Sequence, residues 1–253
     1  MSLLWRSKKQ RIGLCADRVL VSRKKIVPVR SDSPSVRDAP EWKAAVDALP
    51  EVLAGFRNCE ISLVIADAFV RYTLLPWNAA VKNEQQWTAV ARHRFSALHG
   101  AATAGWDVKL TETAPQGARL ACAVDRDLIE ALATASVSAN VHLASVQPFL
   151  VAAFNRIRSK VGTGSCWLVV EEPGRLTLAF IQRGAWVTVR TRRVDPNWRQ
   201  ALPQIIERES AFLALSEPCT RVIVCAQGAF DTEEYEAWQA VALSYPELAL
   251  AWE

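Results

Sequence analysis

Two periodicities alternate along the chain. Short β-branched and aliphatic runs read as strands, and stretches whose apolar residues return every third or fourth position read as helices. Arg11–Ala16 and Arg18–Ile26 predict two strands, with a short third near Val27–Arg30, ahead of the turn-rich Ser31–Pro40. A helix from Glu41 to about Phe56, kinked at Pro50, leads to strands Cys59–Ala66 and Ala68–Leu75, with Asp67 at their junction. A helix over Asn83–Leu98 ends at Gly100, strands Trp106–Thr113 and Arg119–Val124 follow, and Asp125 caps a helix carrying Leu128, Ile129 and Leu132. A strand at Val141–Val146 runs through Pro148 into a helix ending near Arg158.

Val161–Ser165 has the composition of a linker. Beyond it, strands Cys166–Val170, Arg175–Gln182 and Ala185–Arg193 are joined by turns too short for anything but an antiparallel meander. A helix over Pro196–Leu215, a strand Thr220–Ala226, a helix Thr232–Leu243 and a strand Leu248–Trp252 complete the pattern. The chain therefore divides into residues 1–160, with a small inserted subdomain at about 76–125, and residues 161–253. Each part is a meander followed by alternating helices and strands.

Composition narrows the function classes. With 253 residues, 51% of them apolar, the chain can bury one large or two small cores. Its formal charge of +4 falls short of the clustered excess of a nucleic-acid binder, and no motif of that class occurs, so nucleic acid is not an expected partner. The ten tryptophans imply thick packing between layers or aromatic grooves. Six cysteines without a CxxC pair, five of them inside apolar runs, predict reduced thiols in a cytoplasmic protein without a disulfide framework or structural metal. No apolar run approaches a membrane span. Leu3, Leu4 and Trp5 beside Arg6, Lys8, Lys9 and Arg11 could touch an anionic surface, although a solvated tail is the simpler account.

Catalytic constellations are sparse. His93 and His99 lie six residues apart on one helix and cannot share a ligand, and His142 is remote from both in sequence. Asp125 and Asp127 open a helix, whose N-terminus they stabilise. Arg190 and Arg192 share one face of a strand, as on a charged edge that resists aggregation, and Arg156, Arg158 and Lys160 form a second basic cluster.

A meander followed by alternating helices and strands is the order of the ribonuclease-H-like unit, and two in tandem make the actin-like ATPase architecture. The chain resembles the PilM family of type IV pilus assembly proteins, with MshI and the cytoplasmic part of GspL of type II secretion. The likeness rests on Ser2–Leu14, on Phe69–Pro76 before the helix containing Glu84, and on Ala123–Leu128 and Ser145–Phe149. It implies a cytoplasmic scaffold that docks the tail of a PilN-like inner-membrane partner, meets the membrane only through it, and has a motor ATPase nearby. Actin-like ATPases hold nucleotide with two Asp-x-Gly loops and a Gly-Gly pair. The matching positions here read Cys15-Ala16-Asp17, Glu171-Glu172-Pro173-Gly174 and Gln227-Gly228-Ala229. Cys15 stands where the first Asp would, and no glycine follows it. The adjacent carboxylates of Glu171 and Glu172 would repel a triphosphate, Pro173 offers no amide donor, and the third loop keeps only Gly228 of its glycine pair. The expectation is therefore a pseudo-ATPase without a cofactor. The alternative is an actin-like ATP-binding enzyme with divergent loops that uses Asp17, Glu171 and Glu172.

Overall fold

The computed structural model describes residues 9–22, 25–29, 40–111, 116–162, 164–215, 219–226, 230–235 and 238–244. Strands β1 (Lys9–Leu14), β2 (Arg18–Ser22) and β3 (Lys25–Pro28) form an antiparallel meander, and β4 (Glu60–Ile65) and β8 (His142–Pro148) add to β1 in parallel. The sheet order is β3-β2-β1-β4-β8. In the second half β9 (Ser165–Glu172), β10 (Arg175–Gln182), β11 (Ala185–Arg193), β12 (Arg221–Ala226) and β13 (Gln239–Ser244) take the equivalent order, β11-β10-β9-β12-β13. A third sheet, β5-β7-β6, is built from β5 (Val70–Leu75), β6 (Trp106–Leu110) and β7 (Arg119–Asp125). Its core is the Trp87, Ala91, Phe95 stripe of helix α2 (Glu84–His99). Asn83 caps that helix by accepting from the Gln86 amide at 2.9 Å, and Gly100 ends it at φ 66°, where a side chain would be strained.

The central parallel strands are apolar on both faces because helices or sheets cover both. On the first sheet Ile12, Leu14, Ile61 and Leu63 are fully buried, and α1 (Lys43–Leu53) contributes Ala45, Leu49 and Leu53. The second sheet splits its side chains by the strand alternation. Trp167, Val169, Leu178 and Phe180 face α5 (Trp198–Phe212), whereas Cys166, Leu168, Val170 and Ile181 join the core of the first sheet. Between the two sheets lies α4 (Phe149–Val161), buried at Phe149, Leu150, Ala153, Phe154, Ile157 and Val161 and exposed along one side at Arg156, Arg158 and Ser159. All six cysteines are free thiols, and burial pushes Cys166 up to about 12 and Cys122 and Cys225 higher still, so these three stay protonated. No helix among the described residues is long and apolar enough to cross a membrane.

Three expectations fail. Arg18–Ile26 is not one strand but is divided between β2 and β3, which pair antiparallel. The helix expected over Thr232–Leu243 is a single 3₁₀ turn at Glu233–Tyr235 followed by strand β13, parallel to β12 from Arg221–Gln239 to Ala226–Ser244. Helix propensity differs by only about 0.7 kcal/mol per ordinary residue, and here two terms outweigh it. The edge of β12 offers a ladder of backbone bonds. The rings of Trp198, Phe230, Tyr235 and Trp238 also stack in series at 6.1, 5.0 and 5.4 Å, with the Tyr235 hydroxyl donating to the Arg199 carbonyl. Asp125, read as a capping side chain for α3 (Arg126–Ser138), makes no cap bond; its carboxylate accepts from Trp42 Nε1 at 2.9 Å. Leu3, Leu4, Trp5 and the strand expected at Leu248–Trp252 lie outside the described residues.

Asp67, 1% exposed, sits where β4 ends and a 3₁₀ turn (Asp67–Phe69) begins. Its Oδ1 accepts from the Leu150 amide, in the first turn of α4, at 2.9 Å and from the Tyr72 hydroxyl at 2.5 Å. Its Oδ2 is buried without a hydrogen-bond partner. Burial pushes this carboxyl up from 3.8 to about 6 against the opposing pull of those two bonds. Because the folded form binds its proton more tightly than the unfolded chain, Asp67 adds stability as pH falls from about 6 toward 4 and costs stability above 6. Asp67→Asn, which keeps an acceptor for both donors and places an amide where Oδ2 finds none, is expected to flatten that segment of the stability–pH profile without lowering stability at neutral pH. Asp67→Ala orphans both donors and is expected to cost about 1–3 kcal/mol for each. Urea unfolding across pH separates these outcomes.

Candidate functional site

The first degenerate loop is the bend between β1 and β2. The Cys15 amide donates to the Arg18 carbonyl at 2.9 Å, turning one loop N–H inward, and Cys15 is 3% exposed. The Asp17 carboxylate pairs with the adjacent Arg18, Nε at 3.0 Å, and the Asp17 carbonyl accepts from the Val29 amide. That hydrogen bond raises the Arg18 guanidinium above its ordinary value, with the charge of Glu171 adding to the effect. Asp17 Oδ2 is thus engaged within its own hairpin, while Oδ1 is buried without a hydrogen-bond partner.

The second loop is the β9–β10 hairpin, turned at Pro173-Gly174 with Gly174 at φ 70°. Strand alternation sends the side chains of Glu171 and Glu172 to opposite faces, so they do not confront one ligand as an adjacent pair. Glu172, 5% exposed, turns toward the first sheet. Its Oε1 accepts from the Asp67 amide at 2.7 Å and its Oε2 from the Ala68 amide at 2.8 Å. The opening amides of a 3₁₀ turn have no acceptor within the turn and carry the positive end of its dipole, so a carboxylate satisfies both at once. Arg175, across the hairpin, reaches the Ala68 carbonyl at 3.5 Å and the Glu41 carboxylate at 3.4 Å. Glu172 and Arg175 therefore clasp one short segment of the first half through its amides and a carbonyl.

Around this clasp is a cleft of about 280 Å³ lined by Cys15, Asp17, Glu41, Glu172, Pro173 and Arg175 together with Ala16, Ala66 and Ala68. The fold thus brings together Cys15, Asp17 and Glu172, but Glu171 is not in the lining, and Gly228 lies outside the described residues with Gln227 and Ala229. Asp67, Glu41 and Arg175 carry the joint yet belong to no motif. The one signal for Asp67 was a lone carboxylate between two apolar runs. Of the histidines, His99 packs against the Trp106 ring at 5.2 Å, while His93 and His142 are exposed. Among the described residues no group of three or more His, Cys, Asp or Glu could hold a metal.

A larger concavity lies elsewhere. The groove between the small sheet and the β8–α4 unit, about 800 Å³, has an apolar floor of Leu110, Cys122, Val151 and Phe154. Lys109, Arg156 and Arg158 supply its cationic rim. Two strands border it, β6 and β8, each at an edge of its sheet among the described residues. Among its described lining residues there is no tryptophan, but a smaller cleft beside Ala68 and Arg71 is lined by Trp42 and Trp106, in keeping with the expectation of aromatic grooves. Trp87, Trp167, Trp186 and Trp198 are buried, and Trp186 of β11 packs on Phe154 of α4 at 4.3 Å, in the core shared with the first sheet.

The sequence matches no protein-family model and no curated protein. Solved structures match it over nearly its whole length. The PilM-PilN type IV pilus biogenesis complex aligns over 97% of this chain and 90% of its own at TM-score 0.64 and 10% identity. A Bacteroides thetaiotaomicron protein with an actin-like ATPase fold and unknown function aligns over 96% and 94% at 0.61 and 11%. The cytoplasmic domain of EpsL, an inner-membrane component of the type II secretion system of Vibrio cholerae, aligns over 95% and 92% at 0.57 and 9%. At such low identity the likeness is one of architecture, and with the two five-stranded sheets of equivalent order it establishes that the chain has the actin-like ATPase fold.

Proposed function

We propose that this chain is a non-catalytic scaffold of a type IV pilus or type II secretion assembly platform, working at the cytoplasmic face of the inner membrane by docking the cytoplasmic tail of a PilN-like partner. The observation that carries the non-catalytic half is the carboxylate of Glu172 on the amides of Asp67 and Ala68. Donors free to meet a phosphate are what an ATP site needs there, and an internal anion already holds these two. Among the described residues no glycine lines the cleft. Mg·ATP does not fit this donor set. We read residues 1–160 and 161–253 as the two actin-like lobes, with a small subdomain at about 76–125 inserted in the first.

The docking half rests on the groove between β6 and β8. An extended peptide can add its backbone to either edge strand, place apolar side chains on Leu110 and Val151, and be oriented by Lys109, Arg156 and Arg158. A PilM protein forms a complex with PilN in a solved structure of the same architecture. A motor ATPase of the platform would meet another surface of the chain.

Two measurements test this reading. Calorimetry of the full chain with Mg·ATP is expected to give no binding heat; micromolar affinity would restore the enzyme alternative. A PilN-like cytoplasmic tail peptide is expected to bind, and Val151→Arg, which fills the groove from a half-buried helix position, is expected to weaken it about tenfold or more with the thermal midpoint unchanged. Absence of peptide binding to the unmodified chain would refute the docking.

A further inference from the structure

The second sheet carries a built cationic recess that the scaffold reading leaves unused. Arg190 and Arg192, alternate residues of β11, face α5, where both reach the carboxylate of Glu209 at 3.4 and 3.9 Å. Glu209 is 8% exposed and belongs to the apolar stripe of α5, so this charge is retained inside a packed helix face. Arg193 and Arg208 complete an open recess of about 470 Å³, and among the described residues neither has an ion-pair partner. Nε of Arg192 is buried without an acceptor. Four guanidiniums against the one lining carboxylate leave three positive charges uncompensated. At the rim the Arg190 guanidinium lies 5.6 Å over the ring of Phe212, which is 68% exposed.

Scattered, outward-pointing cations would suffice to keep an edge strand from aggregating. Here the arginines converge, and a buried carboxylate holds two of them in place. We propose that the recess receives an acidic, extended segment of a protein partner. Alternate residues on a strand repeat about every 6.6 Å, and so do alternate carboxylates of an extended chain, so Arg190 and Arg192 match an acidic-x-acidic pattern in register. Arg193 and Arg208 engage its flanks, and Phe212 offers an apolar contact at one end. The concavity between strand and helix admits a chain more readily than a planar bilayer or a broad duplex. Since the recess shares no lining residue with the β6–β8 groove, it stands independently of the docking proposed there.

The test uses the full chain and a fluorescein-labelled peptide of alternating Glu and Ser, with the Gln/Ser peptide as control, read by anisotropy at low and high salt. The Glu peptide is expected to bind in a salt-sensitive way and the Gln peptide not at all. Arg193→Glu/Arg208→Glu, which leaves the Glu209 pairs intact, is expected to weaken binding about tenfold or more with an unchanged thermal midpoint. No binding of the Glu peptide, or binding indifferent to the double variant, would overturn the proposal. Capture by phosphatidylglycerol vesicles that is lost in the double variant, without peptide binding, would assign the recess to a lipid surface instead.

Discussion

The carboxylate of Glu172 decides how the two sheets meet. It leaves the end of β9, enters the first half of the chain and takes the two opening amides of the turn after β4. The residue that turn presents is Asp67, whose own carboxylate holds the first turn of α4 and the hydroxyl of Tyr72. One chain of charge-assisted bonds therefore runs from the second sheet through the first to the helix lying between them. Such bonds are short, directional and protected from water, so they fix an angle between sheets where apolar packing alone would allow sliding.

This explains why the joint is built from polar groups at all. Two apolar sheet faces with a helix between them have many nearly equivalent ways to pack. A buried acid that must find its donors has few. The cost is visible in Asp67, whose second oxygen finds no partner and whose proton affinity rises with burial.

Much of the architecture was legible in the sequence because both sheets obey local rules. The β9–β11 meander follows from turns at Pro173-Gly174 and Gly184, and α2 from Asn83 at one end and Gly100 at the other. The segment after Phe230 was illegible because its strand is specified by the open edge of β12 and by rings from α5, partners distant along the chain. The site divides in the same way. Cys15, Asp17 and Glu172 could be picked out by comparison with a motif, yet Glu172 was read as an obstacle to a ligand when it is a bond to Asp67 and Ala68, 105 and 104 residues away. Arg190 and Arg192 looked like a solvated edge because Glu209 approaches them only once α5 folds back over the sheet.

The position of α4 has a consequence for how the chain acquires its structure. This helix ends the first half in sequence, but part of its apolar surface is covered only by strands of the second, through a core that Phe149 and Ile157 share with Cys166, Leu168 and Ile223. During synthesis the first half emerges with that surface bare, and its cover is complete only once β12 has been made. The amides of Asp67 and Ala68 wait for their carboxylate until the end of β9 has been made. The two halves repeat one topology, yet the earlier one matures only when the later one arrives.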